Sequence, residues 1–308
     1  MKILITGGAG CLGGNLIERF LPQGHEIIVI DNFSTGKREV VPQIAGLHVI
    51  EGSVANELLI NEVFKKFLPK IVIHSAAAYK DPSNWIEDSN TNVIGSINVT
   101  KAALEYGVEK IINFQTALCY GRPAKIPIPI ETLTAPFTSY GISKTAGEAY
   151  ILNSGIQAVS LRLANICGPR LAIGPIPTFY TRLKENKPCF CSDSIRDFLD
   201  MEDFLSLIDI LLTSSKASGV YNVSTGIGNS IKDVFDEVAN FLRIIPPDVP
   251  IKPVGKDDVP AVVLDSTDTY KAFNWHPKYD FKEIIRRQLE WYEKYGVTDI
   301  FSHLSIPK

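Results

Sequence analysis

A doubly wound α/β fold, a parallel sheet with helices on both faces, is what this sequence predicts, and three features carry the prediction. The chain opens on a strand–turn–helix–strand unit with a glycine-rich turn. Buried-strand and helix patterns then alternate through the first half. Beyond Asn165 the rhythm changes to shorter segments punctuated by proline and glycine, which indicates a second, smaller α/β lobe.

The first unit runs from Lys2 to Asp31. Ile3 to Thr6 is β-branched and apolar, as in a fully buried strand, and breaks into Gly7-Gly8-Ala9-Gly10-Cys11-Leu12-Gly13. Leu16, Ile17, Phe20 and Leu21 follow at helical spacing, Gly24 stops the helix, and Glu26 to Ile30 form a second strand ending in Asp31. Glycines at 8, 10 and 13 make G-x-G-x-x-G, which lets backbone N–H groups approach a pyrophosphate at the positive end of a helix. Asp31 falls about 20 residues beyond the turn, where a carboxylate accepts the adenosine-ribose hydroxyls and repels a 2′-phosphate. The prediction is therefore NAD rather than NADP, with Lys37 and Arg38 the nearby cations that oppose it.

The following elements are read in the same way. His48 to Glu51 is a third strand, Asn56 to Phe67 a helix and Lys70 to His74 a fourth strand. A helix from about Asn92 to Tyr106 leads to a fifth strand, Lys110 to Gln115. A proline-rich loop, a helix from about Tyr140 and a strand from Ala158 to Leu163 complete the first half. Later, Ser230 starts a helix with Asp233 in capping-box position, and another helix runs from about Phe281 to Tyr295. Residues 1–165 are expected to form the dinucleotide-binding domain, with 196–225 returning to it. Residues 166–308 form the smaller lobe, partly interleaved and closing over the sheet's carboxyl edge, where such sheets bind ligands.

Composition narrows the function classes. A net charge of −3 over 308 residues gives no electrostatic case for nucleic acid or an anionic membrane. No apolar run approaches a membrane span, and Met1-Lys2 leads straight into a strand rather than a signal peptide. Five scattered cysteines fit reduced thiols in a cytoplasmic protein, and Cys189-x-Cys191 lacks a second pair at zinc spacing, so no metal is expected.

Tyr140-Gly-Ile-Ser-Lys144 places a phenol and an ammonium four apart on one helical face. A free tyrosine titrates near pH 10, and lowering that by about 3 units takes roughly 4 kcal/mol of differential stabilisation. Lys144 and the nicotinamide's own charge are the expected sources. Tyr140 then acts as base on a sugar hydroxyl as hydride leaves, and as acid on the return. The bland alternative is a solvated helix surface.

With these residues in place, the sequence resembles the extended short-chain dehydrogenase/reductase family, whose fold is the Rossmann sheet, and within it the nucleotide-sugar 4-epimerases. The resemblance covers essentially the whole chain. It runs through Thr6-Gly7-Gly8-Ala9-Gly10, Asp31-Asn32-Phe33, His74-Ser-Ala-Ala-Ala78, Asn92-Val-Ile-Gly95, Tyr120-Gly121, Tyr140 with Lys144, Leu161-Arg-Leu-Ala-Asn165, Arg196-Asp197-Phe198 and Asn274-Trp275. The stretches 114–122, 134–141, 170–177 and 295–303 are similar to nucleotide-sugar epimerases of bacterial O-antigen clusters.

The resemblance implies roles position by position. Thr116 takes the place of the catalytic serine or threonine, its hydroxyl bonding the reacting sugar oxygen; a strand-end threonine capping backbone is the alternative. Cofactor contacts are implied for Gly7, Gly10, Cys11, Leu12, Gly13, Asp31, Asn32, Ser34, Thr35, Gly36, Ser53, Val54, Ala76, Ala77, Ala78, Asn92, Tyr140 and Lys144. Asn165 and Arg196 fall where the family holds the nucleotide diphosphate, unless Arg196 is an ion-pair partner of Asp197. Tyr79-Lys80 is placed toward the nicotinamide. Asp258 and Val262 belong to the substrate side, Val262 at a pocket wall where a small residue goes with tolerance of a 2-acetamido group. The helices after Asn92 and Tyr140 (Ile94, Ile97, Ala102; Ala146, Ala149, Ile151) are expected to pair across a two-fold axis into a four-helix bundle, giving a homodimer.

Departures from the pattern sharpen the reading. Ala117 and Leu118 stand where eliminating members carry Asp-Glu and decarboxylating ones keep the glutamate, so neither chemistry has its proton carrier. Gly255-Lys256-Asp257-Asp258 replaces Arg-Pro-Gly-Asp, leaving Lys256 as the substitute for a phosphate-binding arginine. Ser53 replaces an acid on the adenine side, and the stretch from Pro188 to Arg196 is short. The expected function is NAD-dependent inversion at C4 of a UDP-linked hexose derivative through a transient 4-keto intermediate, the sugar being 2-acetamido or uronic and destined for lipopolysaccharide. The alternatives are a keto-sugar reductase consuming NAD(P)H and a non-catalytic dinucleotide sensor.

Overall fold

The computed structural model describes residues 1–215, 217–245, 248–255 and 258–298. Lys256 and the matched residues 299–303 lie outside the described residues. The strands are β1 (Lys2–Thr6), β2 (Glu26–Asp31), β3 (Leu47–Glu51), β4 (Ile71–His74), β5 (Lys110–Thr116), β6 (Ala158–Leu163), β7 (Asn165–Cys167), β8 (Cys191–Ser192), β9 (Ile195–Arg196), β10 (Phe198–Asp200), β11 (Gly219–Val223), β12 (Asn229–Ser230), β13 (Ile251–Lys252) and β14 (Ala261–Val262). The α-helices are α1 (Cys11–Phe20), α2 (Glu57–Phe67), α3 (Trp85–Asp88), α4 (Gly95–Glu105), α5 (Ser139–Leu152), α6 (Pro175–Lys184), α7 (Met201–Thr213), α8 (Ile231–Phe241), α9 (Thr267–Phe273) and α10 (Phe281–Tyr295).

Seven strands form one sheet in the order β11-β6-β5-β4-β1-β2-β3. β1 pairs in parallel with both β2 and β4, so the chain reverses its direction of winding at β1. In such sheets the crevice at the carboxyl ends of the two strands flanking the reversal takes the ligand. Here those ends are Thr6 and His74.

Two compact units emerge. The first comprises Met1–Cys119, Pro136–Arg162 and Leu207–Tyr221; the second comprises Tyr120–Ala135, Leu163–Ser206 and Asn222–Lys308. These bounds differ from those expected from sequence. Residues 120–135 go with the second unit because their polar groups are satisfied there. The Tyr120 hydroxyl donates to Asn222 Oδ1 at 2.7 Å, and Ile128 N–H donates to the Val263 carbonyl at 2.8 Å. The returning segment is 207–221, shorter than 196–225.

The core of the first unit gathers Leu4, Ile28 and Val72 from the sheet with Phe64, Val99 and Ile151 from its helices. That of the second packs Phe179, Tyr180, Phe235, Leu289 and Tyr292 from α6, α8 and α10. Capping boxes start α8 (Ser230, Asp233) and α10 (Asp280, Glu283), each satisfying two otherwise unpaired N–H groups. The helix expected from Asn92 is instead a π-helical stretch, Ser89–Ile94, running into α4. A π-turn inserts an extra residue and is common at functional sites.

One buried group is poorly matched to its surroundings. Gln288 on α10 is 1% exposed, and neither side-chain amide atom has a hydrogen-bond partner among the described residues. Gln288→Met keeps the shape and removes the desolvation cost, so it is expected to stabilise the protein by about 1–3 kcal/mol. Urea unfolding reads this directly; a less stable variant would mean that the amide has a partner worth keeping.

Candidate active site

The glycine turn is built for an anion. An added Cβ on Gly7, which sits at φ +70°, falls 2.8 Å from Ala76 Cα, and one on Gly13 falls 2.4 Å from the Gly7 carbonyl. Only glycine allows this close backbone path. Helix α1 then begins at Cys11 with no side-chain cap and no acid in its first turn. The positive end of the helix dipole at this turn is thus not neutralised by a side chain of the helix itself and suits a negatively charged ligand.

Asp31 ends β2 beside this turn. Its Oδ2 accepts the Ala9 N–H and its Oδ1 the Phe33 N–H, both at 2.8 Å, which fixes the carboxylate plane and leaves a lone pair on each oxygen. Burial pushes its pKa up, and the two N–H bonds oppose that. The loop after it folds back on the turn. A Cβ on Gly36 would fall 2.7 Å from Ala9 Cβ, and Asn32 Oδ1 accepts the Ser34 N–H at 3.1 Å. Thr35 bonds the Tyr79 hydroxyl. Arg38 is engaged with Glu51 and lies over the Phe33 ring at 4.3 Å.

Further along the sheet, Ser53 Oγ accepts the Ala55 N–H, and Val54 is buried with its methyls where a Gly95 side chain would stand. Asn92, in the π-turn, clamps the backbone after β4. Its Oδ1 accepts the Ala78 N–H and its Nδ2 donates to the Ala78 carbonyl, both at 2.9 Å. The same Nδ2 reaches Ser143 Oγ on α5. Ala76 N–H donates to Thr6 Oγ1. These residues present backbone and small side chains around the turn, as a dinucleotide site requires.

Below them runs a hydrogen-bond chain that sequence reading did not find. Ser96 Oγ donates to the Asn92 carbonyl (2.7 Å), so it accepts from His74 Nε2 (3.0 Å). His74 Nδ1, then unprotonated, accepts from Thr6 Oγ1 (2.8 Å). His74 is fully buried and held neutral, its pKa pulled down to about 3 by burial and by the Lys144 charge. The histidine thus ties the ends of β1 and β4 to the π-turn.

Tyr140 and Lys144 lie on α5, whose start is capped by Thr138. Gln115 links Lys144 to Thr116. Its Nε2 donates to the Lys144 carbonyl (3.0 Å), and its Oε1 accepts the Thr116 N–H (2.8 Å). Thr116 Oγ1 accepts the Leu118 N–H at 3.2 Å and also bonds the Tyr140 phenol. It is therefore both a strand-end cap and a neighbour of the Tyr140 hydroxyl. The Tyr79 ring meets the Tyr140 ring edge-on at 6.0 Å.

The electrostatics of the chain alone run opposite to the shift expected with a nicotinamide in place. In the chain alone burial raises the Tyr140 pKa, Tyr79 adds to the rise, and the Thr116 hydrogen bond is the opposing influence. Of the two positive charges expected to favour the phenolate, only Lys144 belongs to the chain. Lys144 itself is pulled down to about 8 by burial, with Glu148 opposing. A carboxylate four residues beyond Lys144 was visible as a continued helical spacing.

The substrate-side candidates also gather, within the second unit. Arg196 pairs in register with Val262 across β9 and β14 and bonds Asp258 at 2.6 Å. Asn165 donates from both N and Nδ2 to the Asp197 carbonyl. Arg196 is thus the ion-pair partner of Asp258. Asp197 is occupied instead by Thr225 and Gly226. The Val262 side chain is 5% exposed. Among the described residues no cluster suited to a metal ion occurs, and no helix is long and apolar enough to cross a membrane.

Comparison with known proteins places this site in a family. The chain is similar to the Bordetella bronchiseptica enzyme WbmG, crystallised with NAD. The two are 64% identical, the match covers 99% of this chain and 98% of that one, and the TM-score is 0.94. A second WbmG structure, with NAD and UDP, matches at 64% identity and TM-score 0.94 over 98% and 97% of the two chains. A UDP-glucose 4-epimerase of Corynebacterium glutamicum is 28% identical over 92% of this chain and 94% of its own. The pattern of the NAD dependent epimerase/dehydratase family matches residues 3–224, and the chain belongs to that family.

Proposed function

We propose that this protein is a UDP-sugar 4-epimerase with NAD as its resident cofactor. The observation that carries the reading is the gathering of Thr116, Tyr140 and Lys144 beside a glycine turn and Asp31 suited to a dinucleotide, with Ala117 and Leu118 where elimination would need acids. The similarity to WbmG, seen with NAD and UDP, and to several UDP-glucose 4-epimerases supports the same reaction.

Bound NAD supplies an acceptor, and then a donor, for the hydride at C4 of the sugar. Tyr140 removes the C4 hydroxyl proton on the outward step and returns it on the other. Lys144 favours the phenolate through its charge, offsetting the rise that burial imposes. Thr116, held by the Leu118 N–H, keeps its own proton for the oxygen that reacts. The 4-keto sugar turns over before it is reduced. Asn165 and Arg196 are assigned to the nucleotide diphosphate, an arginine suiting that role through its paired donors, and Asp258 on the substrate side holds the Arg196 guanidinium.

The test is incubation with UDP-sugars and no added nucleotide, followed by proton NMR. Conversion selects the epimerase; an absolute need for stoichiometric NADH selects a keto-sugar reductase.

The sugar we propose is a 2-acetamido or uronic derivative used in lipopolysaccharide, made in the cytoplasm. The acetamido reading rests on Val262 as a small wall residue. Val262→Tyr is expected to weaken an acetamido substrate selectively, by roughly 5- to 150-fold, because overpacking costs about 1–3 kcal/mol. Assays on paired acetamido and unsubstituted UDP-sugars check it, and equal losses on both would remove Val262 from the pocket.

We also propose a homodimer through α4 and α5. Of the residues expected on that face, Ile94 and Ala149 are exposed and Ile97 and Ala146 half-buried, but Ala102 and Ile151 are fully buried in the core, because each helix must also cover the sheet. Large outward apolar residues around them are Ile94, Leu104, Ile142 and Tyr150, all over 40% exposed. Light scattering at micromolar concentration should give twice the chain mass; a monomer contradicts the pairing.

A further inference from the structure

The helix that carries Tyr140 and Lys144 bears a third ionisable group on the same face. Glu148 lies one turn beyond Lys144, where side chains four apart are neighbours. Both are buried, at 3% and 4% exposure. The far side of the Glu148 carboxylate is clamped by β6. Its Oε1 accepts from Ser160 Oγ at 2.6 Å and its Oε2 from Arg162 Nη2 at 2.9 Å. Ser160 Oγ in turn accepts from Asn113 Nδ2 on β5 at 2.9 Å. Every distal contact is made by a group that has no view of solvent or only a narrow one.

We infer that Glu148 is a positioning residue for the reaction: its carboxylate, held by Arg162 and Ser160, is the counter-charge that keeps the Lys144 ammonium protonated beside Tyr140. The inference rests on the catalytic role proposed for Lys144.

The charge balance explains why such a residue is needed. Glu148 is the anion bonded by Arg162 and one helical turn from the buried Lys144, so the three groups carry one net positive charge. Without Glu148 the two cations would share a desolvated space, and the lysine is the one that can give up its proton. The other groups around Lys144 cannot substitute. His74 on β4 is neutral, and the Cys119 thiol after β5 is pushed up to about 12 by burial. Asp88 on α3 acts on Tyr140 and is engaged by Ser139. From the π-turn and α4 come the uncharged Asn92 and Ser96. Lys144 stands already at about 8, burial lowering it and Glu148 raising it. A modest loss of support would therefore discharge it near neutral pH.

The experiment follows Lys144 directly. Protein carrying carbon-13 at the lysine ε position is titrated by NMR, with the Lys144 signal assigned through Lys144→Arg. Glu148→Gln, which keeps the shape and loses the charge, is expected to lower the Lys144 titration by about one pH unit or more, a tenfold loss of ammonium at a fixed higher pH. Arg162→Met removes the competing cation and should move Lys144 upward. Glu148→Asp should fall between wild type and Glu148→Gln. Far-UV circular dichroism establishes that each variant is folded.

A carboxylate that merely braces α5 against β6 would not move Lys144 in opposite directions in two variants that both break the same ion pair. An unmoved Lys144 in Glu148→Gln, or a downward move in Arg162→Met, overturns the inference. If Glu148→Gln does not fold, the signs in Glu148→Asp and Arg162→Met decide it. The alkaline limb of the kcat profile in the folded variants should shift with the NMR titration. A titration that moves while the limb stays fixed keeps the Glu148–Lys144 coupling but removes Lys144, and Glu148 with it, from the mechanism, whereas an unmoved titration overturns the coupling itself.

Discussion

Tyr140→Phe is expected to lower turnover by at least ~100-fold, the usual scale for loss of an acid–base group, while NAD stays bound and the fold is kept. Phenylalanine preserves the ring, and with it the 6.0 Å edge-on contact to Tyr79. What disappears is the hydroxyl that Thr116 engages, the one group on this face of α5 placed to exchange a proton with a sugar hydroxyl. Turnover by NMR, circular dichroism and the absorbance of nucleotide released on denaturation check the three parts. Near-normal turnover would remove Tyr140 from the mechanism.

The largest stability effect is expected in acid, and it resides in His74. An ordinary histidine titrates near 6.5, but His74 is held to about 3 in the folded chain. Between those values the unfolded chain binds a proton that the folded chain does not. The His74 contribution is therefore complete above pH 6.5 and is lost as pH falls through the window, at about 1.4 kcal/mol per unit, or up to about 5 kcal/mol in all. The physical reason is burial first, which strips an imidazolium of its water, and then the nearby Lys144 charge, which repels it. His74→Gln is expected to be the less stable protein at pH 7, since an amide cannot span Thr6 and Ser96 as the ring does. The gap should narrow by up to about 3 kcal/mol between pH 7 and pH 4, because only the wild type loses the histidine's contribution. Urea unfolding at pH 7, 5.5 and 4 measures it. A gap that does not change with pH would show that His74 titrates alike in both states.

Much of the architecture was legible because its signals are local. Glycine spacing, β-branched runs and capping pairs such as Ser230 with Asp233 each act within a few residues, so they survive reading one segment at a time. The extents of Ala158–Leu163 and Phe281–Tyr295 coincide with the observed elements for this reason. The π-turn at Ser89–Ile94 was not legible, because its extra residue is set by the Asn92 clamp on Ala78, a contact across 14 residues.

The site divides in the same way. Tyr140, Lys144 and the cofactor turn are spacing patterns and could be read directly. The chain through Thr6, His74 and Ser96 joins residues far apart in sequence, and a lone histidine in an apolar strand gives no hint of it. The direction of the Tyr140 shift also depends on burial and on Tyr79, neither of which a helical spacing reveals. On the substrate side, the choice of Asp258 over Asp197 as the Arg196 partner follows from the pairing of β9 with β14. Two-residue strands of that kind leave almost no periodic signal.

The proposed reaction is transient oxidation at C4 with return of the same hydride. It is tested most directly with a UDP-hexose carrying deuterium at C4, incubated with the purified protein and no added nucleotide, and with product read by NMR and mass spectrometry. The product is expected to retain the deuterium at C4 with the configuration inverted. Exchange of the deuterium with solvent, or conversion only when NADH is supplied, would contradict it.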